Sequence, residues 1–536
     1  MFHQIIAPVA GSLPLSFLVG IIPIAVVLVL LGVLRRPAWQ AAGAGLIVGL
    51  GLAVAVWKLP VGIGLSSIAA GATFAAWPVM WIVVNALLLY NVSVVSGRFE
   101  AFRIWMVRHL PNDRRVVLVV IGFSFGCLLE GISGFGTPIA ITSALLIALG
   151  FAPLDALVFT LIFNTAPVAF GALGAPVTTL GAVTQINDVT LGAMIGRQLP
   201  LIAMLLPFYV IAVYGGFRAL KGVWPVLLVA GGSFALMQFA SANYIGYALT
   251  DVLSSLTSLI LTLVFLKVWK PAPDPAFALV APAADAAAVA PAKAVPAWQG
   301  WVPWIVLSLI VIAWVHFKVN LIGEMKIQWP GLHNAVFITT YGKPYAAVWT
   351  FQPLATGTAI LVATIVTALI VGITPGQFAA ALRGTLRQIR LPLATTMLIV
   401  GLAYLMNYSG IAYTLGVGVA SVGFLFPLLS AFLGWLAVFL SGSDTSGNAL
   451  FGNLQVVAAR QLDLNPVLMA ATNASGGVMG KMISPQNIVT GTSVTNLRGR
   501  EGEVLARTFK HSVILTLLLG IIVMLQQYVF PGVIPT

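Results

Sequence analysis

The stretch EGISGFG at residues 130–136 decides the fold, because it sets a carboxylate and three glycines between two apolar arms. The arms, residues 116–129 and 138–149, are each shorter than the roughly 20 residues that a helix needs to cross a bilayer. Irregular backbone at membrane depth is tolerated only where it lines a cavity or is buried in protein. The stretch therefore predicts a re-entrant helical hairpin over residues 116–150, with Glu130 at its tip.

The surrounding composition indicates lipid as the solvent. Hydrophobic residues make up 60% of the 536, charged residues 7%, and the mean hydropathy is +1.05. This predicts an all-α polytopic membrane protein with about 12 transmembrane helices and two re-entrant hairpins. The predicted spans are residues 13–34, 39–57, 70–92, 156–183, 199–217, 224–242, 251–267, 301–317, 354–372, 391–407, 466–489 and 511–530.

The excess of basic residues is explained by membrane topology rather than by a nucleic-acid partner. The chain carries 26 basic and 13 acidic residues, a net charge of +13, and the basic residues gather in short loops beside spans. Such loops face the cytoplasm. Counting crossings makes the N-terminus external and makes the first hairpin enter and leave by the cytoplasmic face.

A second hairpin is predicted over residues 426–460, with its tip at SGSDTSGN, residues 441–448, and its entry from outside. The pattern N-x6-G-x4-P begins about 34 residues after the start of the first hairpin tip and about 32 residues after the start of the second. The two copies are NTAPVAFGALGAP at residues 164–176 and NASGGVMGKMISP at residues 473–485. An internal duplication accounts for both copies.

The predicted division of the chain follows from this duplication. Residues 1–217 form a first repeat, residues 218–270 hold two connecting spans, and residues 301–536 form a second repeat. Between them, residues 271–300 are rich in alanine and proline and predict a flexible cytoplasmic linker. An offset of seven crossings gives the repeats opposite orientation, an arrangement that recurs in secondary transporters. Inverted repeats of this kind are compatible with either an elevator motion or a rocking motion during transport.

The first functional candidates are three ionisable residues that lie inside apolar segments, namely Glu130, Asp444 and Lys481. A charge such as that of Lys481 costs at least about 2.5 kcal/mol to insert unless it finds a partner. Either Lys481 forms a fixed bridge that locks the core, or it binds a substrate carboxylate and returns to an acid when empty. Glu130 either carries a proton, because burial disfavours the charged form of a carboxylate, or braces the hairpin tip. Asp444 has the same two interpretations and is favoured over Glu130 as the partner of Lys481.

Helix ends and amides supply further candidate contacts. Thr137 is predicted to cap a half-helix that starts at Pro138, and the second tip offers Thr445, Ser446 and Asn448 as caps. Free N–H groups at such ends favour an anion. Asn164 and Asn473 occupy equivalent positions, where their amides either brace broken helices or read a substrate hydroxyl.

Five strings together resemble the signatures of the bacterial L-lactate permease family. They are FGCLLEGISGFGTPIAIT at residues 125–142, FNTAPVAFGALGAPV at 163–177, IGRQLP at 195–200, FLSGSDTSGNALF at 439–451 and GGVMGKMISPQNI at 476–488. The resemblance implies a multi-pass symporter of the bacterial cytoplasmic (inner) membrane. Its implied substrates are L-lactate and related 2-hydroxy acids, D-lactate and glycolate, imported with a proton and no other cofactor.

The resemblance also carries functional positions onto this sequence. They are Glu130, Ser133, Gly134, Asn164, Ser443, Asp444, Thr445, Asn473, Lys481 and Ser484. The alanine- and proline-rich linker departs from the family pattern, and the oligomeric state is left open.

These inferences combine into one mechanistic hypothesis. An external proton neutralises Glu130 or Asp444, lactate binds with its carboxylate near Lys481, and its hydroxyl meets serine, threonine or asparagine groups at the tips. A sodium-coupled carboxylate carrier is one alternative, because hydroxyl-rich tips and Asp444 offer oxygen ligands. An integral membrane enzyme is a weaker alternative, because the five histidines form no metal-ligand spacing and no nucleophile triad is evident.

Overall fold

The computed structural model describes residues 1–34, 36–134, 136–279 and 295–535, and for Thr137 it describes the backbone alone. These residues are overwhelmingly helical, which confirms the predicted helical membrane fold. The helices before the first hairpin are α1 Leu13–Gly20, α2 Ile22–Leu28, α3 Ala38–Ala55, α4 Val61–Phe74, α5 Trp81–Val95 and α6 Arg98–Arg108. π-helical segments extend α2 over Val29–Val33 and join α4 to α5 over Ala75–Met80.

The first hairpin has two helical arms, and the first is longer than predicted, since the 19-residue run Arg114–Ile132 is itself long and apolar enough to cross a membrane. Re-entry of this hairpin therefore stays a prediction. Its first arm runs through α7 (Arg114–Val117), a π-helical segment and α8 (Gly126–Ile132), and its second arm is α9 (Thr137–Ala148). Gly134 and Gly136 have positive φ values of +54° and +82°. Only glycine adopts such angles freely, so these two residues let the chain reverse within four positions.

The predicted span over residues 156–183 is broken. It consists of α10 (Pro153–Phe163) and α11 (Gly171–Thr184), and it bends by 64° at the break between Phe163 and Val168, before a 3-10 turn over Val168–Phe170. Residues 172–174 also adopt left-handed angles, which interrupt the α-helical hydrogen-bond ladder.

The middle of the chain holds longer and shorter helices. They are α12 Asp188–Ala240, α13 Thr250–Val268, α14 Val302–His316, α15 Thr356–Ile370, α16 Pro375–Ser409 and α17 Ile411–Val419. Non-helical angles at Gly215 and Gly216 divide α12 between the predicted spans 199–217 and 224–242.

The second hairpin and its broken helix follow in the same order as the first. Their elements are α18 Phe426–Ser441, α19 Asp444–Gln461, α20 Pro466–Lys481, α21 Pro485–Val494 and the final helix α22 Glu501–Tyr528. The predicted span over residues 466–489 is therefore also interrupted, between Lys481 and Pro485.

Nine helices of the described ranges are long and apolar enough to cross a membrane, or up to ten if the bent pair counts as one span. The predicted number of about twelve stays a prediction. Two of the predicted spans share the single 58-residue helical run Asp188–Ile245, and α14 and α15 have only 15 residues each.

Within the described ranges, five short strands interrupt the helical fold, and they were not predicted. They are β1 Phe2–His3, β2 Met325–Gln328, β3 Val336–Ile338, β4 Lys343–Pro344 and β5 Val348–Phe351. β3 pairs with β1 in parallel and with β4 antiparallel, while β2 and β5 form a separate antiparallel pair. The sheets tie the N-terminus to the loop between α14 and α15, on the face predicted to be external.

Contacts between loops distinguish the open ends of the two hairpins. On the basic face, Arg98 donates to the carbonyl of Val371 at 2.7 Å, and Arg507 bridges Asp155, just after the first hairpin, at 2.9 Å. On the strand-bearing face, the guanidinium of Arg460, at the end of α19, lies 4.5 Å from the ring of Tyr341. The open ends of the two hairpins thus contact different groups of loops, and the membrane faces from which they enter stay predictions.

The start of the alanine- and proline-rich linker is packed, whereas a flexible segment was predicted. Asp274 bridges Arg218 at 3.0 Å, and the Ala276 N–H together with Arg218 lowers the pKa of its carboxyl group. The Phe277 ring lies 4.5 Å from the guanidinium of buried Arg115, at the foot of the first hairpin. Residues 280–294 of the predicted linker lie outside the described residues.

Glycines bring α18 and α20 into backbone contact, which gives a stability prediction. A Cβ atom added at Gly434 would lie 2.1 Å from the carbonyl oxygen of Asn473. Overpacking of this kind costs typically about 1–3 kcal/mol, so Gly434→Ala is expected to lower the melting temperature of the purified protein. Gly232→Ala on α12 is the matched control, because no atom lies within 4 Å of the added methyl group. Equal melting temperatures for both variants would contradict the close packing.

Candidate functional site

A buried ion pair joins the first hairpin to the second broken helix. Lys481 at the end of α20 places its Nζ 2.5 Å from Oε1 of Glu130 in α8, and the two residues are only 6% and 2% exposed. The second carboxylate oxygen, Oε2, accepts a hydrogen bond from Nδ2 of Asn164 at 3.0 Å. Three of the predicted site residues therefore meet in one cluster, drawn from three separate elements.

The cluster has room because glycine backbone surrounds the Glu130 side chain. A Cβ at Gly171, the first residue of α11, would lie 3.0 Å from Oε1 of Glu130, and one at Gly134 would lie 3.7 Å from it. The carboxylate therefore lies against the break between α10 and α11. Its own hairpin tip covers it from the other side.

Asp444 approaches the same cluster without pairing with Lys481. It is the first residue of α19, is 4% exposed, and accepts from Nδ2 of Asn448 at 3.2 Å through Oδ2. Its other oxygen, Oδ1, has no hydrogen-bond partner among the described residues and packs on Gly477, one helical turn before Lys481. Preference for Asp444 as the partner of Lys481 is therefore wrong, because α20 directs the ammonium group toward α8.

The two equivalent asparagines have different surroundings. Asn473 is saturated, since its Nδ2 donates to Asn448 Oδ1 at 2.9 Å and its Oδ1 accepts from Gln455 at 2.8 Å. Asn164 contacts Glu130, and its own Oδ1 has no partner in the described ranges. In this conformation Asn473 braces the second hairpin against α20, and only Asn164 belongs to the charged cluster.

The hydroxyl groups of the predicted site also differ in whether they have hydrogen-bond partners. Ser133 Oγ donates to the Leu129 carbonyl at 2.8 Å, and Thr445 is 8% exposed. Ser484, the N-cap of α21, is fully buried, and its Oγ has no hydrogen-bond partner within the described chain. This buried hydroxyl group is therefore available to meet a ligand.

The caps differ from those predicted. Ser443 caps α19, since its Oγ accepts from the Ser446 N–H at 3.3 Å, whereas Thr445, Ser446 and Asn448 lie inside the helix. Gly136 precedes α9 as its cap, and Thr137 is already helical. The side chain of Thr137 lies outside the described residues.

A cleft of about 490 Å³ opens beside the cluster without containing it. Its lining comes from the end of α11, the strand-bearing loop, the α4–α5 region and α16. Among the lining residues are Thr178, Gln185, Asp188, Trp329, Tyr345 and Asn407. Glu130, Asp444 and Lys481 are absent from this lining, so the charged cluster is closed off from the cleft in this conformation.

Two buried polar residues at this site were missed in the sequence. Asp251, in the first turn of α13, is 1% exposed and packs against Gly131, next to Glu130. It was overlooked because it stands at the start of a predicted span, where a charge ordinarily reaches water. Gln198 is fully buried and bonds both Thr472 and Ser475 of α20, at 2.8 and 2.7 Å. Gln198 could have been found in the sequence, because it is an amide residue inside an apolar segment.

The sequence profile of the L-lactate permease family matches residues 16–530. The chain belongs to this family. Glycolate permease GlcA of Escherichia coli strain K12 is 41% identical, with 98% of each chain covered. The L-lactate permease of Bacillus subtilis strain 168 is 39% identical over 99% of each chain, and that of Escherichia coli strain K12 is 39% identical over 98% of each.

Membership of the L-lactate permease family confirms the resemblance found in the five strings. It makes the chain a multi-pass membrane transporter for a small molecule and excludes the alternative of a membrane enzyme. Four of the five strings form the two hairpin tips and the two helix breaks, and the fifth, residues 195–200, lies inside α12. The roles of the individual site residues stay predictions.

Proposed function

We propose that this protein imports L-lactate and related 2-hydroxymonocarboxylates, including D-lactate and glycolate, by proton symport across the bacterial cytoplasmic membrane. The relatives named for L-lactate and for glycolate support this substrate class. Both are small anions that carry a hydroxyl group beside the carboxylate. The observation that carries the proposal is the buried Lys481–Glu130 pair at the meeting point of the hairpin tips and the helix breaks.

The pair suggests how a proton and an anion are coupled. In the substrate-free state, Glu130 neutralises Lys481. When Glu130 takes up a proton, Lys481 loses its counterion, and the lactate carboxylate replaces it. Because an unpaired charge in the protein interior costs several kcal/mol, the carrier binds both ligands or neither. The empty carrier and the carrier loaded with a proton and lactate then have the same net charge in the binding site.

Two unpartnered groups are available to hold the rest of the substrate. Ser484 Oγ lies at the N-terminus of α21, whose free N–H groups favour an anion. Asn164 Oδ1 is free to accept a hydrogen bond from the substrate hydroxyl. The proposal therefore assigns carboxylate binding to Lys481 and the α21 terminus, and hydroxyl recognition to Asn164.

Uptake in proteoliposomes tests proton coupling against sodium coupling. In sodium-free buffer, an inward gradient of one pH unit is expected to concentrate lactate about tenfold, because one pH unit is worth a factor of ten at equilibrium. A protonophore should collapse this accumulation. Accumulation that requires a sodium gradient and ignores the pH gradient would favour the sodium-coupled alternative and contradict the proposal.

A further inference from the structure

We infer that Asp251 is a proton-binding residue that passes the coupling proton to Glu130. This inference rests on the proposed function and extends it to a residue outside the predicted site. Asp251 stands in the first turn of α13 and is 1% exposed. Neither carboxyl oxygen has a hydrogen-bond partner among the described residues.

A structural role does not account for this side chain. An aspartate in the first helical turn ordinarily accepts from free backbone N–H groups or forms an ion pair. Asp251 does neither, and the Lys481 ammonium group is occupied by Glu130. An ionised carboxylate left in this position would lack any compensating donor, which is strongly disfavoured in a protein interior. The neutral, protonated form is the one that fits.

The neighbours of Asp251 define where its proton goes. A Cβ atom at Gly131 would lie 2.6 Å from Cβ of Asp251, so α13 crosses α8 in contact beside Glu130. Glu130 adjoins the contact residue Gly131, Cys127 lies one helical turn before that glycine on α8, and Lys481 of α20 reaches this region through its ion pair with Glu130. Among these, Glu130 is the acceptor whose protonation would release Lys481 for the substrate.

A polar cluster at the cleft includes Tyr247, which stands four positions before Asp251 in the chain. Asp188 and Thr178 line the cleft, and both hydrogen-bond the hydroxyl group of Tyr247, at 2.6 and 3.0 Å. Tyr247 precedes Asp251 by four residues and packs against Gly174 in the broken part of α11. The cleft lies on the strand-bearing face, from which the external proton would arrive.

The proton balance of this scheme closes. Asp251 gives its proton to Glu130 as the lactate carboxylate replaces Glu130 at Lys481, and Asp251 is then protonated again from the cleft. On the cytoplasmic side lactate leaves, Glu130 releases its proton, and the Lys481–Glu130 pair forms again. One proton and one lactate cross in each cycle, and Asp251 ends as it began.

Asp251→Asn tests the inference, with Asp155→Asn as the control at an exposed surface bridge. Under a gradient of one pH unit, wild type and control should concentrate lactate about tenfold, while Asp251→Asn should show no concentrative uptake. Lactate–lactate exchange should persist, since a loaded carrier keeps its proton during exchange. Asp251→Glu should retain driven uptake. Lactate binding to purified Asp251→Asn should stay pH-dependent, because Glu130 still titrates there.

Each other outcome is decisive. Driven uptake by Asp251→Asn at the wild-type level, loss of exchange in that variant, or failure of Asp251→Glu to concentrate lactate would each overturn the relay. Absence of driven uptake in the wild type would instead refute proton symport itself. The two failures are therefore distinguishable.

Discussion

Glu130→Gln is expected to abolish lactate uptake driven by a pH gradient while sparing lactate–lactate exchange. Glutamine keeps the shape of the side chain and its contact with Asn164 but cannot bind or release the coupling proton. It mimics the protonated state, in which Lys481 is free for the substrate. Under a gradient of one pH unit the wild type should concentrate lactate about tenfold, and the variant should show no concentrative uptake.

The pH dependence of lactate binding distinguishes the role of Glu130 from that of Asp251. Lactate binding to purified Glu130→Gln should no longer depend on pH, whereas binding to Asp251→Asn should still do so. Glu503→Gln, which alters a surface bridge to Arg500, is the matched control and should behave as wild type. Unchanged pH-driven accumulation in Glu130→Gln would remove Glu130 as the proton carrier.

Lys481→Met is expected to abolish every mode of lactate transport, including exchange. The variant removes the cation that the proposal assigns to the substrate carboxylate, and a hydrogen bond to a charged group contributes about 1.5–3 kcal/mol. Lactate affinity should therefore fall by up to about a hundredfold, as measured by binding to the purified protein. Lys510→Met, an exposed lysine on α22, should leave binding unchanged.

A double variant distinguishes substrate binding from a purely structural bridge. Replacing both partners of a buried ion pair is often neutral for stability, so Glu130→Gln with Lys481→Met should fold. If the pair only locks the core, transport should return in the double variant. We expect it to remain inactive while melting close to wild type. Recovered exchange would refute the assignment of Lys481 to the substrate.

Residues with a local physical signature were predictable from sequence. Glu130 and Lys481 stood out because an ionisable group inside an apolar run has a high cost of insertion wherever the chain folds. Asp251 has the same chemistry but lies at a predicted span end, where that cost vanishes. Only the packing of α13 on Gly131 buries it.

Equivalence in sequence did not predict equivalence in surroundings. Asn164 and Asn473 share one pattern position, yet one contacts Glu130 and the other is saturated by Asn448 and Gln455. The chain breaks after Asn164 in the first repeat but only after Lys481 in the second. The short strands were missed for a related reason, since β3 pairs with β1 across more than 300 residues.

The sequence by itself determined the solvent, the helical class, the glycine-containing turns at the two predicted hairpin tips and the buried ionisable residues that it placed inside apolar runs. These follow from the hydropathy and the glycine content of contiguous segments. Tertiary structure alone decided that Lys481 pairs with Glu130 rather than Asp444, and that Asp251 joins them. Lys481 and Glu130 are 351 positions apart, so their contact depends on how helices cross, and no local property of either segment encodes that crossing.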